Sequence, residues 1–99
     1  MPADHVVATF TTDNKQLADT VAAEILSAEL GCPQIEGPIR SRFTWHGRAH
    51  ADQEWRVEIA TTTDRAAAVV DLIKDKHGVE VPEVSVTENH TLFVEEAAG

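Results

Sequence analysis

The residue order predicts an α+β sandwich in which an antiparallel sheet carries two helices on one face, and three observations predict it. Four stretches are rich in β-branched and apolar residues, two others repeat their apolar residues at helical spacing, and the middle two strand-like stretches are joined through a glycine. The order is therefore strand, helix, strand, strand, helix, strand. Right-handed crossovers then place both helices on the same side of the sheet, which is the split βαβ, or ferredoxin-like, arrangement βαββαβ.

The first strand spans His5 to Thr11, where Val6, Val7, Ala8, Thr9 and Phe10 form the continuous run expected of a central strand buried on both faces. Thr12 or Asp13 offers a helix N-cap, and Gln16 stands three positions beyond Asp13 in capping-box spacing. In the helix that follows, Leu17, Val21, Ile25 and Ala28 form an apolar stripe broadened by Ala18, Ala22, Leu26 and Leu30, while Lys15, Asp19, Glu24 and Glu29 face water. Gly31 supplies the left-handed residue that ends it, and Pro33 prevents its resumption. From Ile39 to Trp45 the period changes to two: Ile39, Ser41, Phe43 and Trp45 point one way, Arg40, Arg42 and Thr44 the other. Residues His46 to Asp52 supply a turn around Gly47, after which Trp55, Val57, Ile59 and Thr61 alternate with Glu54, Arg56 and Glu58. The two runs make a long antiparallel hairpin whose polar face sets Arg40, Arg42 and Arg56 against Glu54 and Glu58. The stretch Thr61-Thr62-Thr63-Asp64 caps a second helix, amphipathic through Ala66, Val69, Val70 and Ile73 and running to about His77. Lys74, Lys76 and His77 suit the dipole at its end, and Gly78 stops it. Val81 to Thr87 is the last strand, with Val84 and Val86 inward, and Thr91-Leu92-Phe93-Val94 reads equally as an edge strand or the start of a helix.

With 99 residues, 42% of them hydrophobic, the chain has room for one domain, 1–99, and one core. A domain of this length buries roughly two-thirds of the surface its unfolded chain exposes, so its stability is modest unless a disulfide, a metal or a second chain adds to it. The lone Cys32 makes no internal disulfide. A formal net charge of −9 repels phosphate backbones and anionic headgroups, which argues against nucleic-acid and membrane partners. No apolar run approaches the roughly 20 residues of a membrane span, and the opening Met-Pro-Ala-Asp-His lacks the basic and apolar regions of a signal peptide. A cytoplasmic location is expected. No basic residue follows Lys76, and residues 89–99 form an acidic tail.

Two helices cover only one face of a sheet. The other face meets water or another chain, and Phe43, Trp45 and Trp55 on the hairpin are apolar surface that a monomer of this size does not fully cover. Self-association through these three residues is expected, with the number of subunits left open.

At the hairpin the chain resembles the CutA family of divalent-cation-tolerance proteins. The resemblance is carried by Cys32 after the first helix, the run Phe43-Thr44-Trp45-His46-Gly47, Glu54-Trp55 entering the next strand, Thr63 before the second helix, His77 at its end, and Pro82-Glu83 opening the last strand. Their order is family-like over about residues 6 to 88. The resemblance implies a ferredoxin-fold homotrimer, in which sheet edges and long hairpins of three subunits pair around a threefold axis, with a role in cation tolerance or homeostasis. The chain departs from the family pattern at Thr62, where Lys is usual, and at Gly78-Val79, where Pro-Tyr usually follows the helix-ending His. It also lacks the Cys often found near Phe10 and Thr11, and the aromatic-rich C-terminal helix.

What the resemblance implies as ligand is a divalent cation of the copper or zinc class. His77 aligns with the family His implicated in cation binding and is the first candidate. Imidazole and carboxylate suit Cu(II) and Zn(II) and thiolate suits Cu(I), so Glu54, Glu83 and Cys32 complete the candidate set. Each has a plainer reading beside this one: His77 as the cation that favours a helix C-terminus, Cys32 as a small buried hydrophobe, the glutamates as solvated charge. His46 and His50, flanking the turn, read as exposed. Symmetry brings copies of sparse ligands together, so a metal or small-molecule ligand is expected at an intersubunit cleft. No enzyme activity is expected: nucleophile elbow, Walker loop, His-Glu-x-x-His and paired-cysteine motifs are missing from the sequence. Thr11-Thr12-Asp13-Asn14 also lacks the glycines and arginine with which ferredoxin-like acylphosphatases cradle an anion. The alternative is a small-molecule or nucleotide sensor similar to the PII signalling proteins, trimers of the same plan. In that reading Arg40, Arg42 and Arg56 face an intersubunit cleft instead of pairing across the hairpin.

Overall fold

Alternation along the first strand sets the layers. In β1 (His5–Thr12), Val6, Ala8, Phe10 and Thr12 are buried while Val7 and Thr9 are half-buried and His5 and Thr11 exposed. Burial on both faces is thus not observed, because helices cover one side only. The computed structural model describes residues 4–77 and 83–88. After β1 come α1 (Lys15–Ser27), β2 (Cys32–Trp45), β3 (Arg48–Thr62), α2 (Thr63–His77) and β4 (Ser85–Glu88). The strands pair antiparallel in the order β2-β3-β1-β4, the expected βαββαβ arrangement with β1 inside. Ala8, Phe10, Val57 and Ile59 of the sheet meet Ala18, Val21 and Ile25 of α1 and Val69 and Ile73 of α2 to form the core.

Both ends of α1 differ from expectation. Asn14, not Thr12 or Asp13, is the N-cap: its side chain accepts a hydrogen bond from the Leu17 amide at 3.1 Å. Thr12 instead uses its hydroxyl to accept from the Asn14 amide at 3.1 Å, closing the strand-to-helix turn. Asn14→Ala is expected to destabilise the fold by about 1 kcal/mol in urea denaturation, whereas Asp13→Ala changes it little. At the other end, Glu29 amide donates to Leu26 and Leu30 amide to Ile25, a Schellman pattern with Glu29 at φ 57 as its left-handed residue. Gly31 has another task. A Cβ there would stand 2.6 Å from the Ala60 carbonyl oxygen and 2.9 Å from Ile59 Cγ2, so only glycine lets the chain pass this close to β3. Leu26, assigned to the apolar stripe, is 62% exposed on the outer side of α1.

The hairpin is longer than alternation indicated. β2 starts at Cys32, and β3 begins directly after a two-residue turn at His46 and Gly47, with φ 52 and 74, so residues 48–52 are strand and not loop. A bulge between Glu36 and Ile39 inserts one extra residue into β2. One residue inverts every side chain beyond it. Ile35 shares a face with Val57, but past the bulge Arg40 and Arg42 lie opposite Gln53 and Ala51 on that same face. Phe43 and Trp45 therefore stand on the side away from the helices, and Trp55 on the helix side, where it packs against the core. Within the bulge, a side chain at Gly37 would strike the Trp55 ring at 2.5 Å.

α2 is anchored at its start by the Thr63 amide, which donates to the Asp4 carbonyl at 3.0 Å. Near its end Lys76 pairs with Glu24 of α1 at 2.8 Å, and that carboxylate holds the Lys76 ammonium above its usual range. Lys74, Lys76 and His77 occupy the last turn as expected. Val84 packs against the core ahead of β4, while Val86 is 43% exposed. The expectations for Gly78, Val81, Pro82 and residues 89–99 lie outside the described residues.

Candidate functional site

Strand parity decides which side chains share the uncovered face. Glu54, Arg56 and Glu58 of β3 lie there, joined by Gln34 and Glu36 before the bulge and by Ser41, Phe43 and Trp45 after it. The expected charge lacing is not what forms. Arg56 donates to Glu36 at 2.7 Å, but Arg40 and Arg42 are on the opposite side of the sheet from Glu54 and Glu58, because the bulge turns them over. Gln34, Ile35, Glu36, Arg56 and Glu58 line an open groove of about 460 Å³ at the root of the hairpin.

The distal hairpin is an arm of exposed rings. Phe43 and Trp45 are 41% and 61% exposed. The Phe43 ring stacks on His50, its register partner, at 5.4 Å and 15°, and Trp45 meets His46 edge-on at 4.9 Å. These imidazole contacts were legible in principle: a two-residue turn centred on His46-Gly47 sets Phe43 opposite His50.

The four candidate metal ligands are spread over the protomer. Cys32 is exposed, not a buried hydrophobe, because it opens β2 on the uncovered face opposite Ala60. Glu54 is six residues further along β3 from Ala60, about 20 Å away. It is half-buried, and its carboxylate accepts a hydrogen bond from the Ser41 hydroxyl. His77 is half-buried at the far end of α2, about 21 Å of helix from Thr63, and Glu83 is exposed ahead of β4. Among the described residues, no group of three or more His, Cys, Asp or Glu could hold a metal ion.

A second cavity, of about 340 Å³, opens beside the start of α2 between His5, Gly31, Cys32, Ala60, Thr61, Thr62 and Arg65. Its wall is held by the Thr61 hydroxyl, which donates to the Leu30 carbonyl. The Thr62 hydroxyl is buried and short of full hydrogen-bond geometry, yet it is the largest of the influences that lower the Asp64 carboxyl below its usual range. The Asp64 amide and the Arg65 guanidinium add to that lowering.

Residues 6–93 match the family described as CutA1 divalent ion tolerance protein. The chain is 27% identical over 84 residues to Protein CutA of Bos taurus and 31% identical over 80 residues to Protein CutA 1, chloroplastic, of Oryza sativa subsp. japonica. Those alignments cover 85% and 80% of this chain but 48% and 45% of the relatives, so the chain spans about half their length. Among solved structures, CutA1 from the psychrotrophic bacterium Shewanella sp. SIB1 superposes with a TM-score of 0.85 at 22% identity, covering 99% of this chain and 92% of that one. CutA from Synechococcus elongatus PCC7942 complexed with a Bis-Tris molecule superposes with a TM-score of 0.82 at 23% identity, covering 97% and 90%. At these identities the likeness shows the fold.

Proposed function

We propose that this chain, which belongs to the CutA1 divalent ion tolerance protein family, is a non-enzymatic homotrimer that binds a divalent cation of the copper or zinc class in clefts between its subunits. One observation carries the reading: the sheet face away from the helices is uncovered and bears Phe43 and Trp45, 41% and 61% exposed. Aromatic side chains of this size bury about 150–250 Å² each, which at about 25 cal/mol per Å² makes each ring a strong driver of association. Trp55, packed on its own core, supports the arm from beneath.

The donor chemistry fits a borderline cation, with imidazole from His77 and carboxylate from Glu54 or Glu83, and thiolate from Cys32 as the softer option. A single protomer assembles no three-donor group among its described residues, so a neighbouring subunit supplies the remaining donors. Glu54 retains acceptor capacity beyond its bond from Ser41. A cytoplasmic location agrees with the exposed, unbridged Cys32, which suits a reducing compartment. Titration calorimetry tests the ligand assignment. His77→Ala is expected to weaken Cu(II) or Zn(II) binding at least tenfold, and an unchanged affinity removes His77 from the site.

The sensor reading has its own support in the 340 Å³ cavity beside Arg65 and in the Bis-Tris bound to the Synechococcus relative. A thermal-shift panel separates the two: a rise in melting temperature with ATP or ADP and no metal favours the sensor, and a rise with Cu(II) or Zn(II) alone favours the cation binder.

A further inference from the structure

Three elements begin around one cavity. The 340 Å³ space beside α2 is walled by His5 from the start of β1, Cys32 from the start of β2 and Arg65 from the first turn of α2, with Ala60 and Thr62 of β3 between the two strands. Local contacts hold these starts together. Gly31 passes so close to β3 that a Cβ would stand 2.6 Å from the Ala60 carbonyl oxygen, and the Thr61 hydroxyl donates to the Leu30 carbonyl. The Thr63 amide, donating to the Asp4 carbonyl at 3.0 Å, ties the first turn of α2 to the start of β1. Cys32 is therefore a fixed part of the cavity wall, set opposite Ala60 by strand register, and its thiol is unbridged and exposed.

The lining differs in charge from the rest of the molecule. The chain carries seventeen Asp and Glu against eight Lys and Arg, yet the described residues that line this cavity include no carboxylate, and Arg65 supplies a full positive charge. The Arg65 guanidinium acts on the neighbouring Asp64 carboxyl, but it is the smallest of the three influences that lower that group, and the two form no ion pair among the described residues. The volume falls within the range of about 300–1,000 Å³ usual for small-ligand sites. An accessible thiol exchanges with disulfides. A cation on the same wall favours a disulfide that carries carboxylates.

We propose that Cys32 takes up small anionic disulfides, of the class of oxidised glutathione, as a reversible mixed disulfide whose attached thiol is seated in this cavity beside Arg65. The Cys32 Sγ, as thiolate, attacks one sulfur of the incoming disulfide. The new Sγ–S bond forms as the original S–S bond breaks, and the departing thiolate leaves with the electron pair and takes up the proton that the Cys32 thiol released. The incoming disulfide is itself the oxidant. Excess thiol reverses the step by the same exchange, as expected of a cysteine in a reducing compartment. Arg65 attracts the carboxylates and takes no part in the exchange, so it is a positioning residue. The adduct needs neither a bound cation nor a particular number of subunits, so it stands or falls apart from the readings above.

Intact-mass spectrometry of the native full chain tests it, by following adduct formation with oxidised glutathione, which is anionic, and with cystamine, a small cationic disulfide. The quantity read is the ratio of the two rates, compared with the same ratio for the chain unfolded in urea, where the acidic net charge persists and the cavity does not. The native ratio is expected to exceed the unfolded one by at least about fivefold and to fall as salt is raised. Arg65→Gln returns it to the unfolded value, Arg65→Lys retains it, and Cys32→Ser forms no adduct. Where Arg65→Gln lowers the helical circular dichroism, the salt dependence of the wild-type ratio decides in its place. A ratio equal in native and unfolded chains, a folded Arg65→Gln variant with the wild-type ratio, or a native thiol that neither disulfide modifies overturns the proposal.

Discussion

Phe43→Ala combined with Trp45→Ala is expected to convert the assembled protein to single chains that keep their circular dichroism. Neither ring belongs to the core, so the protomer loses no internal packing. What it loses is the apolar part of its uncovered face. Aromatic anchors at the centre of an interface typically cost about 2 kcal/mol or more each when truncated, so the pair raises the dissociation constant by about three orders of magnitude. Trp55→Ala behaves differently: the ring packs on the protomer's own core and against the Gly37 bulge, and its loss lowers the melting temperature. Sedimentation over a concentration series measures both. Persistence of the wild-type mass in the double variant places the interface elsewhere on the molecule.

The largest effect on stability is expected from Phe10→Ala. Phe10 is 2% exposed on the inner strand, in one cluster with Val57, Ile59, Val21, Ile25 and Ile73, and is the largest of the fully buried side chains among the described residues. Removing a buried aromatic costs about 3–5 kcal/mol through lost transfer free energy and the cavity left behind. For a domain of this size that lowers the melting temperature by at least about 12 °C, compared at fixed protein concentration because assembly also contributes. Leu26→Ala, at a position 62% exposed, shifts it little. A Phe10 variant that melts within a few degrees of wild type contradicts the placement of this core.

Much of the fold was legible because it depends on local chemistry. The 3.6-residue spacing of Val21 and Ile25, and of Val69 and Ile73, placed both helices and their buried sides. Alternation from Trp55 to Thr61 placed the buried residues Val57, Ile59 and Thr61 correctly. The N-cap was displaced by one or two residues, since Thr12, Asp13 and Asn14 all carry acceptors and only the backbone path selects among them. Gly31 was assigned to the wrong cause. Its Cβ space is taken by Ala60, a residue 29 positions away in sequence, and no local pattern reports a contact of that range.

The candidate site was less legible. Cys32, Glu54, Glu83 and His77 were chosen by residue type and family position, and strand register then separated Cys32 from Glu54 along β3. The charge pairing of the hairpin was misassigned for a related reason. Alternation looks the same on both sides of a bulge, so Arg40 and Arg42 read as facing Glu54 and Glu58 until one extra residue between Glu36 and Ile39 is counted.

By itself the sequence determined the element order, the two helices and the inward residues of β3, because capping, periodicity and burial act between residues a few positions apart. Only the tertiary structure decided that Trp45 and Trp55 stand on opposite faces, and that Arg40 and Arg42 lie on the side of the sheet away from Glu54 and Glu58. Those facts follow from the pairing of β2 with β3, where a single inserted residue reverses the direction of every side chain beyond it.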